Sequence, residues 1–376
     1  MRILYLTDRL SLRGGADQHL LQVIADTDGA GHEVTVAFGR RDPHVALSDR
    51  VSTARVRGLA SPVATTSRLA DLEAMLAGSD VVHVQNVMNP VALRLAVSTG
   101  RAVVTVQDHR VFCPGMGKTL PGGKRCLSRM SDQACAACLP DDAYRRRTLE
   151  LTEARLGAIA GARRVAVLSR FMARELDAAG LPGALVLPPW VDVGDVPPEP
   201  GSGFVVGGRL VTHKGVLDAR DAWRMAGSGH PLLVAGAGPL ESSLEVEGVI
   251  RLGWLGRDEL RRTLHGARAL LLPSAWQEPF GILGVEALAE GTPVVLADSG
   301  GTSEWSDAGC IRVPPGDIGA TAVAIRRLAD DDGLALELGR AGMAMVAARF
   351  SRAAIVPRVA EVYREVAVRE RDDRPV

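Results

Sequence analysis

The sequence predicts an α/β chain folded as two doubly wound, parallel-sheet domains, and three observations carry that expectation. Short apolar, β-branched runs alternate with segments of helical periodicity along most of the chain. The runs fall into two series, divided by a Pro/Gly-rich stretch. At 376 residues the chain is too long for one ordinary core and suits two domains of about 150–200 residues each.

The first series runs through Ile3–Thr7, Val34–Phe38, Val81–Gln85, Val103–Val106, Val165–Ser169 and Ala184–Leu187. Helical patterns lie between most of these, such as Asp17–Ala25, where Leu20, Leu21 and Ile24 share a face. Pro188, Pro189, Trp190 and Val191, followed by Val196–Gly203, close the series and read as a linker. The second series runs through Phe204–Val206, Leu232–Ala235, Val249–Leu252, Leu270–Pro273, Val294–Ala297 and Ile311–Val313. Alternating βα units imply a mostly parallel sheet covered on both faces. The expected divisions are 1–188, a linker at 189–203, 204–350, and 351–376. In the last, a helical run, Ala353–Val368, precedes a charged tail, Arg369–Val376. Two such domains facing each other place a ligand cleft at the carboxyl ends of their sheets.

Composition narrows the function. The hydrophobic fraction of 47% is ample for two interiors, and aromatics are scarce at 4%. Forty-four basic residues balance 44 acidic ones, which argues against a nucleic-acid partner, since dedicated binders carry a basic excess. No apolar run approaches the ~18–20 residues of a membrane span, and the segment after Met1 reads as a strand rather than a signal peptide. The expected location is cytoplasmic. Four of the five cysteines crowd into residues 113–138, which in a reducing compartment suggests metal before disulfides.

Three segments carry candidate chemistry. Glu278-Pro-Phe-Gly-Ile-Leu-Gly-Val-Glu286 follows the strand Leu270–Pro273, with a helix expected to start near Phe280–Gly281. Free N–H groups at that helix N-terminus, together with the dipole, make an anion site. Glu278 falls in the loop and Glu286 two turns into the helix, among Val285, Ala287 and Leu288. A carboxylate at that depth needs hydrogen bonds, which a ribose diol or a salt bridge to an arginine would supply equally well. The second segment, Gly207-Gly208-Arg209-Leu-Val-Thr-His-Lys214-Gly215, sets two cations at one sheet edge, enough to neutralise a diphosphate. A solvated basic turn would look the same. The third, Gly236-Ala-Gly238-Pro239, reads as a tight strand-to-helix turn and by itself says only α/β.

Taken in order, GGRL, HKG, GAGP, GWLG, EPFGILGVEAL and GTPVVLADSGGTSE resemble the retaining glycosyltransferases of the GT-B fold, in particular glycosyltransferase family 4. Glu278 and Glu286 match that family's E-x7-E motif, Gly14-Gly15 its N-terminal glycine loop, and Asp80-Val-Val-His-Val its third-strand pattern. The resemblance covers nearly the whole chain and is most specific in its C-terminal half. It implies two Rossmann-like domains facing across a cleft: an acceptor-side domain at 1–188, and a domain at 204–350 that binds a nucleoside-diphosphate-sugar. The last helix would cross back to the first domain. By the same resemblance Arg209 and Lys214 hold the diphosphate, Glu286 the ribose, and Glu278 the transferred sugar. Gly208 and the backbone of Phe280, Gly281, Ile282 and Leu283 meet phosphate and sugar, Trp254 and Leu255 flank the base, and Gly14 and Gly15 approach the reacting centre.

One departure stands out. Where the family often carries His-Asp after the strand Val103–Val106, this chain reads Gln107-Asp108-His109. Either Gln107 takes the histidine position or His109 reaches in from a shifted loop; a surface-loop histidine is the other reading. Asp108 would still fall at the cleft. No Asp-x-Asp follows a cleft strand, and Asp330-Asp-Asp-Gly333 reads as a solvated loop, so no catalytic metal is expected. Leaving-group charge would fall to Arg209, Lys214 and a helix N-terminus. The resemblance further implies retention at the anomeric carbon, without a protein nucleophile.

Cys113, Cys126, Cys135 and Cys138 lie in a Gly-rich loop that needs a fastener, and a structural zinc is the leading reading, ahead of an iron–sulfur cluster, disulfides or plain thiols. Only Cys135 and Cys138 have ordinary zinc-ligand spacing. Cys310 reads as a buried core side chain. Tyr144-Arg145-Arg146-Arg147 opens a basic helix, for which a solvated face is favoured over peripheral contact with an anionic membrane. The acceptor, a small molecule or a glycan, is not identified by the sequence. The main reading competes with another nucleotide-sugar-using enzyme of the same fold and with an inactive GT-B binding or scaffold subunit.

Overall fold

The computed structural model describes residues 1–64 and 69–368; the charged tail Arg369–Val376 lies outside them. The described residues form two compact units. The first takes in Met1–Lys118, Leu127–Pro188 and the described residues from Val356 onward. The second takes in Thr119–Cys126 and Pro189–Ile355.

In the first unit, β1 (Arg2–Leu10), β2 (Glu33–Arg41), β3 (Ser52–Arg55), β4 (Val81–Gln85), β5 (Ala102–Val106), β6 (Arg164–Val167) and β7 (Leu185–Val186) form one sheet. Its order is β3-β2-β1-β4-β5-β6-β7, with every neighbouring pair parallel. Every residue of β4 and β5 is buried, as expected of parallel strands covered on both faces. The helices are α1 (Gly15–Gly29), α2 (Ala70–Ala77), α3 (Pro90–Val97), α4 (Asp132–Cys135), α5 (Asp142–Ile159) and α6 (Arg170–Ala179). Helix α1 buries His19, Leu20, Val23 and Ile24, so Val23 and not Leu21 completes its inner stripe. The apolar core runs from Leu4, Leu6 and Val84 through Val104 and Ile159 to Phe171 and Met172.

The second unit repeats the scheme. Strands β8 (Phe204–Arg209), β9 (Leu232–Ala237), β10 (Val249–Gly253), β11 (Ala269–Leu272), β12 (Val294–Ala297) and β13 (Cys310–Val313) form an all-parallel sheet of order β10-β9-β8-β11-β12-β13. Helices α7 (Val216–Ala226), α8 (Arg257–His265), α9 (Ile282–Ala289), α10 (Ile318–Asp330) and α11 (Asp332–Arg349) cover it. Strand order reverses between β1 and β4 in one sheet and between β8 and β11 in the other, the places where doubly wound sheets bind ligands. The two-sheet α/β class expected from the sequence is the class observed.

The last helix, α12 (Arg352–Ala367), starts in the second unit and ends in the first. Its Tyr363 enters the core beside β1 and β4. The Tyr363 hydroxyl lies 2.6 Å from His83 Nδ1 and 2.9 Å from the Tyr5 hydroxyl, and His83 Nε2 lies 2.8 Å from Thr105 Oγ1. Tyr5 in turn meets Thr27 Oγ1 at 2.6 Å. Burial pushes His83 down to about 3, so it stays neutral and serves as a two-sided hydrogen-bonding core residue. No helix among the described residues is long and apolar enough to cross a membrane.

Candidate active site

The second unit gathers all three sequence segments at the carboxyl edge of its sheet. Strand β8 ends on Gly207, Gly208 and Arg209, and a short turn of 3-10 helix, Thr212–Lys214, follows. Arg209 is exposed and donates to no protein acceptor among the described residues. Lys214 reaches across to the loop after β11, where its Nζ donates to Glu278 Oε1 at 2.6 Å and lies 5.0 Å from the centre of the Trp276 ring. His213 packs against the same ring, and burial with the Lys214 and Arg209 charges holds it below its ordinary range. The Glu278 side chain is only 8% exposed, so Lys214 balances a carboxylate that would otherwise be buried alone.

Glu278 is held by its own backbone. The turn Ser299–Gly301, which sequence reasoning did not assign to the site, donates Gly301 N–H to the Glu278 carbonyl at 2.6 Å. Gly300, at φ 63°, sits so close that a Cβ would come within 2.4 Å of that carbonyl oxygen. The Ser299 hydroxyl adds a bond to the Trp276 carbonyl at 3.0 Å. From the other side, Gln277 N–H donates to Thr119 Oγ1 at 3.2 Å. Thr119 belongs to the short segment of the cysteine-rich loop that packs with this unit.

Helix α9 begins at Ile282, slightly later than expected, with Gly281 capping it at φ 84° and no side-chain cap. Only glycine suits that left-handed position, and the bare N-terminus leaves its first N–H groups for a ligand. Phe280 is buried, and its carbonyl accepts the Trp305 indole N–H at 2.7 Å. Glu286 is half-buried, and its side chain makes no ion pair or hydrogen bond among the described residues. The salt-bridge reading of Glu286 is not realised: Arg257 pairs with Asp192 at 2.8 Å, and Arg261 pairs with Glu290. Desolvation raises the Glu286 carboxyl, with the Arg257 charge acting against the shift and Glu290 adding to it. Trp254 stands exposed just after β10, with Leu255 beside it. The Gly236-Ala-Gly238 turn leads into a 3-10 turn rather than a helix, and a Cβ on Gly236 would press within 1.9 Å of the Gly208 carbonyl oxygen.

In the first unit, Gly14 caps α1 in extended backbone with nothing near its Cβ position, and Gly15 opens the helix. Gln107 is buried, and its Nε2 donates to His19 Nδ1 at 2.9 Å. Burial lowers His19 to about 4, which keeps that nitrogen an acceptor. His109 is not a surface-loop histidine. It is buried edge-on against Phe112 and Phe171, with ring centres 5.6 and 6.0 Å away. Asp108 caps the 3-10 turn His109–Val111 and binds Arg110 Nε at 2.7 Å. The carboxylate that sequence reasoning missed is Asp8, near the end of β1. Burial pushes it up to about 7 although it accepts the Met88 N–H and feels Arg110, Arg155 and Arg9.

The cysteine loop is held by side-chain contacts. Cys113, Cys135 and Cys138 fall in the first unit and Cys126 in the second. Among the described residues, no group of three or more His, Cys, Asp or Glu side chains could hold a metal ion. The fastener is Lys118: buried at φ 59°, it pairs with buried Glu175 at 3.2 Å and donates to the Ser128 carbonyl at 2.7 Å. Its own N–H donates to Cys113 Sγ at 3.3 Å. Arg145 is likewise withdrawn from the basic helix face, clasping Asp132, Asp142 and the Leu139 carbonyl, while Arg146 and Arg147 stay exposed.

Comparison with known proteins finds matches in both halves of the chain. Residues 13–195 match the family model described as Glycosyltransferase Family 4, and residues 202–331 match that described as Glycosyl transferases group 1. Glycogen synthase of Mycobacterium tuberculosis is 34% identical over 181 residues, a match spanning 45% of this chain and 44% of that protein. Sucrose-phosphate synthase from Thermosynechococcus elongatus superposes with a TM-score of 0.68 at 20% identity, covering 97% of this chain and 99% of the other. HepE of Anabaena, solved in complex with UDP, gives 0.67 at 19% identity, covering 97% and 100%. The chain therefore has the GT-B fold of these glycosyltransferases, with a region that matches the family 4 model followed by one that matches the group 1 model.

Proposed function

We propose that the chain is a retaining glycosyltransferase that moves a sugar from a uridine-diphosphate sugar to an acceptor held by the first unit. The observation that carries this reading is the contact between Lys214 and Glu278, 64 residues apart, which joins the Gly-Gly-Arg segment to the E-x7-E segment. Arg209 and Lys214 hold the diphosphate, and the open N-terminus of α9 adds its N–H groups. Glu278 orients the transferred sugar, and the unpaired Glu286 receives the ribose hydroxyls. Trp254 and Leu255 flank the base. HepE, similar in fold, has been solved with UDP-glucose, which supports a uridine donor.

The chemistry follows from that placement. The bond from the anomeric carbon to the diphosphate oxygen breaks, and the acceptor oxygen attacks from the same face. The acceptor proton passes to the departing phosphate. Fixed cations and helix N–H groups stabilise the leaving charge without reorganising, which is where preorganised sites gain most. Gly14, with open space about it, lets the acceptor approach, while Gln107 and Asp108 shape the end of β5.

A panel of nucleotide sugars scored by thermal shift identifies the donor, because a tight ligand of the native state raises its melting point. Proton NMR of the product then reads the anomeric coupling. An axial donor linkage kept axial supports the proposal, an inverted product refutes retention, and binding without hydrolysis or transfer identifies a scaffold.

A further inference from the structure

The first unit has a cavity of about 590 Å³ beside the ends of β2 and β3, whose lining includes Arg40, Arg55 and Arg57 with Gly39, Gly58 and Ser61. Its lining contains no carboxylate. The three guanidiniums are exposed, and none donates to a protein acceptor among the described residues. Neighbouring arginines are committed: Arg41 donates to the Val45 carbonyl, and Arg50 pairs with Asp28. Three like charges around one concavity repel each other, and nothing in the lining compensates them.

The wall that carries two of these arginines is built to hold its shape. Val56 and Leu59 are buried in the core, which leaves Arg55 and Arg57 on the outer side. Fully buried Asn89 donates its Nδ2 to the Gly58 carbonyl at 3.0 Å. Buried Arg155 donates to the Pro62 carbonyl at 2.7 Å and to the Met88 carbonyl at 2.9 Å. Gly39 lets this loop fold onto β2, since a Cβ there would lie 2.5 Å from both the nitrogen and the Cβ of Ala60. Two buried polar side chains thus fix a loop whose outward face is cationic.

We propose that Arg40, Arg55 and Arg57 form an anion subsite that takes the phosphoryl group of a small phosphorylated acceptor. Planar guanidinium forks match phosphate oxygens in pairs, and the cavity volume suits a sugar- or polyol-sized molecule. A concave site favours a soluble phosphomonoester over the flat surface of an anionic membrane. The inference rests on the glycosyltransferase reading only in calling the ligand an acceptor.

The test is isothermal titration with glycerol 3-phosphate, glycerol, and phosphatidylglycerol vesicles, with UDP titrated in parallel. The proteins are the unaltered chain, R40Q, R55Q, R57Q and the triple variant, each with an unchanged melting point as the check on folding. Glycerol 3-phosphate should bind and glycerol should not. Each single variant should weaken binding about tenfold, the loss of one charge-assisted contact, and UDP affinity should stay constant. Absence of glycerol 3-phosphate binding, undiminished binding in the triple variant, or binding of vesicles alone each overturns the proposal. Failure of UDP to bind the unaltered chain strikes the donor assignment and not the anion subsite.

Discussion

Replacing Glu278 by glutamine separates two effects that the ligand-free structure ties together. Lys214 spends part of its charge on Glu278 at 2.6 Å, in a pair whose side chains are 23% and 8% exposed. On the proposed reading, a bound diphosphate competes for the same ammonium. Lys214→Ala removes a charge-assisted contact to the diphosphate and should weaken UDP binding by about 1.5–3 kcal/mol, or about ten- to a hundredfold. Glu278→Gln instead releases the ammonium while keeping the size of the side chain. UDP affinity should then hold or rise, by up to about 1 kcal/mol or fivefold, while turnover of the UDP-sugar falls because the sugar loses its carboxylate. Isothermal titration with UDP and steady-state kinetics with the UDP-sugar read the two effects separately. If Glu278→Gln weakens UDP as much as Lys214→Ala does, Glu278 supports the diphosphate site itself and the division of roles is wrong.

Other consequences can be measured with ordinary assays. Lys118→Met breaks a buried pair with Glu175 and should cost about 3–5 kcal/mol in urea unfolding, with faster proteolysis within residues 113–138; Cys135→Ser should cost far less if the lysine is the main fastener, and an equal loss would favour a metal held by the cysteines. Tyr363→Phe leaves His83 Nδ1 and the Tyr5 hydroxyl short of a partner, for about 1–3 kcal/mol and a few degrees of melting temperature by calorimetry. Asp8 is raised from its ordinary 3.8 to about 7, so the folded chain holds a proton that the unfolded chain has released. Stability should therefore fall as pH rises between those values and level off above, and Asp8→Asn should flatten that slope in urea titrations. If Arg209 and Lys214 supply the positive charge as proposed, turnover should persist without added magnesium; strict dependence on magnesium or manganese would refute that account.

Much of this architecture was legible because parallel strands buried on both faces must be written as apolar runs. Twelve of the thirteen described strands coincide with such runs. The exception, β3, reads Ser-Thr-Ala-Arg on a sheet edge, where burial places almost no demand on composition. Segments such as Gly-Gly-Arg…His-Lys-Gly and Glu-x7-Glu were visible because their glycines and charges sit at fixed offsets from a strand. Side-chain direction was not. Whether Gln107 or His109 faces a ligand depends on His19, 88 residues away from Gln107, and on Phe171, and no local pattern encodes those neighbours. The contacts of the cysteine loop were hidden for a related reason: four thiols are conspicuous in a sequence, whereas a single buried lysine paired with Glu175 on α6 is not. The brace that Ser299–Gly301 builds on Glu278 also joins distant segments, although the Gly-Gly pair was a signal available to be read.

The docking of Tyr363 also sets an order of events during synthesis. Strands β1, β4 and β5 emerge from the ribosome early, yet the hydrogen bonds that satisfy His83 and Tyr5 wait for a residue near the end of the chain. Residues 189–355, which carry the whole second sheet, are translated in the interval. The first unit therefore gains these hydrogen bonds only after the segment that forms the second sheet has been made, although domains generally fold as units, N-terminal first. Until Tyr363 docks, His83 Nδ1 and the Tyr5 hydroxyl lack the partner it gives them.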